Sequence, residues 1–406
     1  MSIGRSMIDL FSGAGGLSRG LESAGFNSIY ANEIVEQYAR TYAANHPETW
    51  VDSRDIRLVD PNVIRAKLGM KKRELGLLAG GPPCQGFSVN APIRRSDDKR
   101  NHLFLEYLKF VEAFEPDAVL IENVPGLVSF EGGATLEAIL TSLVALGYAP
   151  DVQILYAPHY GVPQTRWRTI ILAVRNDLAG DQDLFPVPQH SAPKRVNFTS
   201  SHRDRSLVSL VENLNLPGHT TIEEALSDLP PLAVGESVPD GTAYATEPAN
   251  QYQAILRSGS DGVYNHRAAN LGHMNRLRLS HIPPGGNWTD IPFELLPEGM
   301  KRANRGDHTK RYGRTLPSGL SSTILTKCDP HWGAYFHYSQ ERTFTVREAA
   351  RIQSFPDDYR FTGSLSDQFA QVGNAVPPLL AAAIGETLIA RLSNEHEVSS
   401  SVRLVG

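Results

Sequence analysis

The sequence predicts an α/β protein with a doubly wound, mostly parallel sheet, followed by a second and less regular unit. Three observations carry this. Over the first ~185 residues, short apolar runs alternate with segments of helical spacing, the order of a parallel sheet covered by helices on both faces. A glycine cluster follows the first apolar run, at the kind of strand end where such sheets bind ligands. Past residue 186 the chain becomes rich in Pro, Ser, Thr and charge and loses its periodicity.

Residues 7–11 read as the first strand and 17–24 as the first helix. Residues 28–31, 75–79, 118–121, 152–156 and 169–174 are further strands. Between them, 103–114 and 136–146 carry apolar residues at helical spacing. Residues 188–340 form a different unit, inserted or appended, with a turn-rich stretch at 282–297. Regularity returns at 345–352, a helix with Thr345 as N-cap and Glu348 three residues later. The last helix, 376–392, has two prolines at its start, where proline is tolerated.

The chain has 406 residues, with 41% hydrophobic and 20% charged, an ordinary globular composition long enough for two or three domains. A net charge of −5 argues against binding nucleic acid through bulk charge, though not against a local basic surface. The two cysteines, Cys84 and Cys328, supply neither a disulfide framework nor a metal-binding set. No run approaches the ~18 apolar residues of a membrane span, and the first strand begins too early for a signal peptide. The expectation is a soluble intracellular protein.

Phe11-Ser12-Gly13-Ala14-Gly15-Gly16-Leu17 joins the first strand to the first helix, and its glycines let backbone approach a ligand closely. Glu33 follows Gly13 by 20 residues, the usual distance for a carboxylate that receives ribose hydroxyls. Asp55-Ile56 is placed to end a third strand beside a nucleoside base. A dinucleotide pattern wants a third glycine where this chain has Ser18, so a nucleoside without phosphates fits better than NAD.

Gly80-Gly81-Pro82-Pro83-Cys84-Gln85-Gly86 follows a strongly apolar strand. Prolines stiffen the approach to Cys84 and glycines leave room beside it. A free cysteine is most often a small buried hydrophobe. The flanking residues argue against that for Cys84, while Cys328 has no such surroundings and takes the plain reading. Glu122 comes directly after four apolar residues, 118–121. A carboxyl there loses solvent, which favours a proton-donating role, the alternative being a capping or salt-bridged Glu. Alternation puts Gln164, Arg166 and Arg168 on one face, either a solvated edge or a site for anions and carbonyls.

Together these segments resemble the DNA cytosine-5 methyltransferases. The matches are Asp9-Leu10-Phe11-Ser12-Gly13-Ala14-Gly15-Gly16, Gly81-Pro82-Pro83-Cys84-Gln85-Gly86-Phe87-Ser88, Glu122-Asn123-Val124 and Gln164-Thr165-Arg166-Trp167-Arg168. Arg347-Glu348-Ala349-Ala350-Arg351-Ile352-Gln353-Ser354-Phe355-Pro356 and Gln371-Val372-Gly373-Asn374-Ala375-Val376-Pro377 complete the set. The resemblance covers about 1–187 and 342–393.

It implies a Rossmann-like S-adenosyl-L-methionine-dependent sheet at 1–187, completed by 362–406. Residues 188–361 would be an irregular, mostly β target-recognition domain and hinge. It implies Cys84 as nucleophile and Glu122 and Arg168 on the flipped cytosine, with Arg166 and Gln164 supporting. Phe11, Gly13, Gly15, Leu17, Glu33, Ile34, Asp55, Ile56, Pro83, Leu103, Asn374 and Val376 would hold the cofactor, with no metal. Base flipping requires contacts to the DNA backbone and a group to fill the gap. Gln85, Ser88, Arg94 and Arg95 lie on a segment expected to close over the base. Lys301, Arg302, Arg305, Lys310, Arg311 and Arg314 form the strongest candidate for phosphate contact.

The implied partner is double-stranded DNA, with functional pairing to a restriction endonuclease. A monomer, cytoplasmic and nucleoid-associated in a prokaryote, with no membrane contact, is expected. An RNA cytosine-5 methyltransferase and a non-catalytic DNA-binding module stay open as alternatives.

Overall fold

The computed structural model describes residues 5–83, 103–180, 183–193 and 215–402, with 393–402 as backbone only. Its centre is a seven-stranded sheet: β1 Ser6–Leu10, β2 Asn27–Asn32, β3 Trp50–Asp52, β4 Leu77–Gly80, β5 Ala118–Asn123, β6 Tyr148–Tyr156 and β7 Trp167–Arg175. The order is β3-β2-β1-β4-β5-β7-β6. Strands β1 to β5 pair in parallel, while β7 runs antiparallel to both β5 and β6. The expected mostly parallel sheet therefore carries one reversed strand near its edge. Order reverses between β1 and β4, which opens a crevice above their carboxyl ends.

The five parallel-region helices are α1 Gly16–Ala24, α2 Glu36–Asn45, α3 Pro61–Lys67, α4 Leu103–Phe114 and α5 Ala134–Ala145. One face of the sheet buries Ile8, Leu10, Leu78, Val119 and Ile121 against Ile64, Phe110, Phe114 and Leu143. The other buries Met7, Leu77, Leu120 and Leu172 against Leu17 and Leu21 of α1 and Leu380, Ile384 and Leu388 of the last helix. These alternations along each strand are the period of 2 that the apolar runs require.

After β7 come α6 Ile222–Leu226, α7 Gln251–Arg257, α8 His273–Leu279, α9 Glu298–Lys301, α10 Val346–Ile352, α11 Leu365–Asn374 and α12 Pro378–Val402. The last returns to α1, and glycine makes the contact possible: a Cβ at Gly20 would lie 2.2 Å from the Pro378 carbonyl oxygen. The first-half fold is thus completed from the far end of the chain.

Residues 188–361 depart from the mostly β expectation. Among the described residues they form short helices joined by loops, with isolated bridges but no ladder. Prolines at 283, 284, 292, 297, 317 and 330 remove ladder donors at short intervals. Thr345 does cap α10: it accepts from Glu348 N at 3.1 Å, and the Glu348 side chain accepts from Thr345 N at 2.8 Å. Two stretches, Pro125–Ala145 and Leu365–Leu392, are long and apolar enough to span a bilayer by composition. The first is broken by non-helical backbone at Phe130, Glu131 and Gly132, and the second divides into α11, packed with α10, and α12, packed on the sheet.

Candidate active site

A cavity of about 620 Å³ lies over the carboxyl ends of β1, β2, β4 and β5. Phe11, Gly13, Leu17, Glu33, Ile34, Asp55, Ile56, Pro83, Leu103, Asn374 and Val376 all line it. Gly15 does not: its α-carbon faces Tyr359, His46 and Tyr42, and its positive φ of 92° serves the turn into α1. It is a packing glycine, not a cavity wall.

The floor is built by strand ends. Phe11 leaves β1 with φ of 58°, an unusual conformation for a residue with a side chain. Gly13, also at positive φ, has open space where a Cβ would stand. Glu33 directly follows β2 and is held by two backbone donors: Gly13 N at 2.9 Å and Val35 N at 2.8 Å. Burial pushes its pKa up against those two bonds. Asp55 caps the turn Ile56–Leu58 and pairs with Arg57 at 2.5 Å, which holds its carboxyl below the ordinary range.

Glu122, at the end of β5, and Arg168, on the adjacent β7, both line the cavity beside Gly81, Pro82 and Pro83. Arg168 Nε is 2.5 Å from Glu122 Oε1, but its N–H is not aimed along the contact, so this is a charge contact more than a hydrogen bond. Arg168 Nη1 donates to the Trp167 carbonyl oxygen at 2.8 Å. Asn123 Nδ2 donates to the Pro82 carbonyl oxygen at 3.1 Å, fastening the proline turn to β5. Cys84 is the next residue after Pro83; it lies outside the described residues, as do Gln85, Ser88, Arg94 and Arg95.

Gln164 and Arg166 are brought elsewhere than Arg168. Both are fully buried and neither lines the cavity. Gln164 Nε2 donates to the Ile352 carbonyl oxygen at 3.0 Å, and its Oε1 accepts from Ile324 N at 3.1 Å. Arg166 donates to the carbonyl oxygens of Ile324, Gly373 and Ala375. Burial depresses its pKa. The one-face expectation fails because both precede β7, which begins at Trp167. They tie the sheet to the loop at 324 and to the end of α11.

The basic run at 301–314 is mixed. Lys301 pairs with Glu298 at 2.6 Å, and Arg302, Arg305 and Lys310 are exposed. Arg311 lies 5.4 Å over the ring of Trp332, which is 61% exposed. Arg314 donates to the His337 and Ile282 carbonyl oxygens at 3.1 Å each, which makes it a strut between two loops. Cys328 packs against the core of this half, and desolvation pushes its thiol up.

Motif reading passed over Asp9. It lines the cavity at 1% exposure, accepts from Ser18 Oγ at 2.6 Å, and burial raises its pKa to about 7. Among the described residues nothing bonds its other oxygen. The signal was a charge inside an apolar strand. Among the described residues no cluster of metal-ligating side chains occurs.

The arrangement can bind a nucleoside through Glu33 and Phe11 and can present a carboxyl and a guanidinium to a planar polar ring. A family model described as C-5 cytosine-specific DNA methylase matches residues 5–390. The chain is 35% identical to the type II methyltransferase M.AgeI of Thalassovita gelatinovora, over 95% of this chain and 99% of that one. It is 35% identical to M1.HphI of Haemophilus parahaemolyticus, over 96% and 87%. A solved E. coli structure, described as a DNA modification methyltransferase encoded within a prophage, shares the fold. Its TM-score is 0.71 at 23% identity, over 96% of this chain and 99% of that one.

Proposed function

From the premise that this chain belongs to the C-5 cytosine-specific DNA methylases, enzymes that transfer methyl groups from S-adenosyl-L-methionine to carbon 5 of cytosine in DNA, we propose a covalent route through Cys84 within a restriction–modification system. The cavity fits the cofactor. Both Glu33 oxygens are fixed by backbone donors and retain lone pairs for ribose hydroxyls, and open space over Gly13 admits a ligand. Phe11, Gly13, Leu17, Glu33, Ile34, Asp55, Ile56, Pro83, Leu103, Asn374 and Val376 would hold it. When bound, it supplies an electrophilic methyl group.

Carbon 5 of cytosine is a weak nucleophile, so the chain must activate the ring. The Cys84 thiolate adds to carbon 6. Glu122, as a carboxylic acid, passes a proton to ring nitrogen 3 and holds the exocyclic amine, offsetting the charge that develops. Arg168 holds the oxygen at position 2. Carbon 5 would take the methyl group as the sulfonium sulfur leaves as a neutral thioether; a base then removes the proton from carbon 5, the thiolate leaves and the nitrogen 3 proton returns to Glu122. Gln164 and Arg166 act at one remove, keeping β7 and the end of α11 in register.

The target would be double-stranded DNA, flipped at one cytosine and read by 188–361. Lys301, Arg302, Arg305, Lys310 and Arg311, with Gln85, Ser88, Arg94 and Arg95, are offered for DNA contact. The protein would act as a cytoplasmic monomer, its catalytic domain made of 1–187 and 362–406. Kinship with named type II methyltransferases supports a protective role against a partner endonuclease.

The observation that carries the mechanism is the convergence of Glu122 and Arg168 with the turn that leads into Cys84, on one cavity wall. A duplex containing 5-fluorocytosine tests it. With S-adenosyl-L-methionine the protein should form a denaturant-stable complex that Cys84→Ser lacks. Methylation by Cys84→Ser, or turnover by wild type with no trapped complex, would refute the covalent route.

A further inference from the structure

One side chain from 188–361 ends behind the wall of the cofactor cavity, on the backbone of a residue that lines it. Tyr359 is 1% exposed. Its hydroxyl donates to the carbonyl oxygen of Ala14 and lies 3.1 Å from His46 Nε2, whose Nδ1 is 2.8 Å from Glu22. Glycine at 15 leaves the space, since a Cβ there would come within 2.5 Å of this hydroxyl. Ala14 lines the cavity, in the turn between β1 and α1.

The other end of Tyr359 is fixed from α10. Its carbonyl oxygen accepts from Arg347 Nη2 at 2.6 Å, and the same guanidinium donates to the Tyr264 and Pro356 carbonyl oxygens at 2.9 and 3.1 Å. One turn on, Arg351 bonds both Asp357 and Asp228. The backbone around 357–359 is therefore anchored within 188–361, and Tyr359 reaches from it to the glycine turn.

That turn needs an external hold. Phe11, Gly13 and Gly15 all have positive φ, at 58°, 56° and 92°. At Phe11 such a conformation is strained and persists only when its surroundings over-determine it, while Gly13 and Gly15 adopt it freely and leave the turn open to other shapes. Gly13 N is held by Glu33 and Gly15 N by the Ser12 carbonyl oxygen, and the Ala14 carbonyl is left to Tyr359.

We propose that Tyr359 is a positioning residue for methyl transfer, its hydroxyl clamping the glycine turn in the shape that receives S-adenosyl-L-methionine. This rests on reading the cavity as the cofactor site. A turn freed from the clamp populates other shapes, and apparent affinity falls by the fraction still in the competent one.

Tyr359→Phe keeps the ring packing on Phe355 and Phe361 and removes only the hydroxyl. Calorimetry of the DNA-free protein should show cofactor binding weakened about five- to tenfold, the size expected for one buried hydrogen bond. The KM for cofactor should rise by the same factor, with kcat at saturation within about twofold, the signature of lost binding and not lost chemistry. Amide exchange at residues 12–16 should quicken while that of β4 stays unchanged, which a general loss of stability would not produce.

Unchanged affinity and unchanged exchange at 12–16 would overturn the clamp. His46→Gln, which removes the ring nitrogen beside the hydroxyl, should give a smaller loss in the same direction, and serves if Tyr359→Phe does not fold. If it too leaves affinity and exchange unchanged, the clamp is refuted. Glu33→Gln separates the two readings: if it leaves cofactor affinity intact, the cavity assignment fails. If it weakens binding while Tyr359→Phe does not, only the clamp fails.

Discussion

The sheet half and the irregular half, 188–361, solve the same problem, satisfying buried backbone, by different means. In the sheet half each ladder bonds its own carbonyls, and the faces are filled with Ile, Leu, Val and Phe. In the irregular half several backbone carbonyls are met by buried guanidinium groups. Arg342, Arg347 and Arg351 are each 0% exposed. They donate to the carbonyl oxygens of Leu232, Tyr264, Pro356, Tyr359 and Ala225. Arginine has five donors in a rigid fork, so one residue can serve several stray carbonyls, but its charge must then be neutralised inside the protein. Glu348 does this for Arg342, at 2.7 and 2.6 Å, and Asp228 and Asp357 for Arg351. Both halves bury hydrocarbon, but irregular chain needs neutralised guanidinium groups for its carbonyls where regular chain has ladders.

Removing one partner from each kind of core breaks the comparison most sharply. Arg351→Met leaves buried Asp228 with only the longer Arg257 contact and Asp357 with Arg347 and Tyr244, and should cost about 3–5 kcal/mol in denaturant unfolding. Ile171→Val, in the fully buried centre of β7, should cost only about 0.5–1.5 kcal/mol. Equal losses would mean the arginine network is ornamental.

Acid should then act on the halves with opposite signs. Burial holds Asp9 in the sheet half at about 7, up from 3.8, so its folded form favours the proton. Its contribution is full below the ordinary value and is lost as pH rises to about 7. Burial holds His337 at about 4, down from 6.5, so its folded form favours the neutral ring. That contribution is full above the ordinary value and is lost as pH falls to about 4. Thermal melts of Asp9→Asn should show a gain on the order of 3 kcal/mol at pH 8, shrinking steadily toward pH 4. A pH-independent difference would refute the burial account.

The smallest effect belongs to the surface. Neutralising Lys310 and Arg311 should weaken binding to every duplex alike and lower the salt slope by about 2. Loss confined to one sequence would make them base readers.

How much of this was legible follows from range. Strand positions, the glycine turn, the carboxylates at 33 and 122 and the capping box at 345 are all written in spacings of a few residues, because side chains three or four apart on a helix, or two apart on a strand, share one environment. The same periodicity is silent about partners far along the chain. Gln164 looked like a neighbour of Arg168 but bonds Ile352, 188 residues away, and Arg166 bonds Ala375, 209 away. Spacing likewise gave no sign that Arg314 holds two carbonyls or that Gly15 makes room for Tyr359.

By itself, then, the sequence determined which elements form, which faces they bury and which chemical groups stand at the strand ends. Tertiary structure alone decided which long side chains reach the cavity and which turn inward. A guanidinium or a phenol is long enough to bond whatever carbonyl the fold leaves unpaired, and that carbonyl can lie anywhere in the chain.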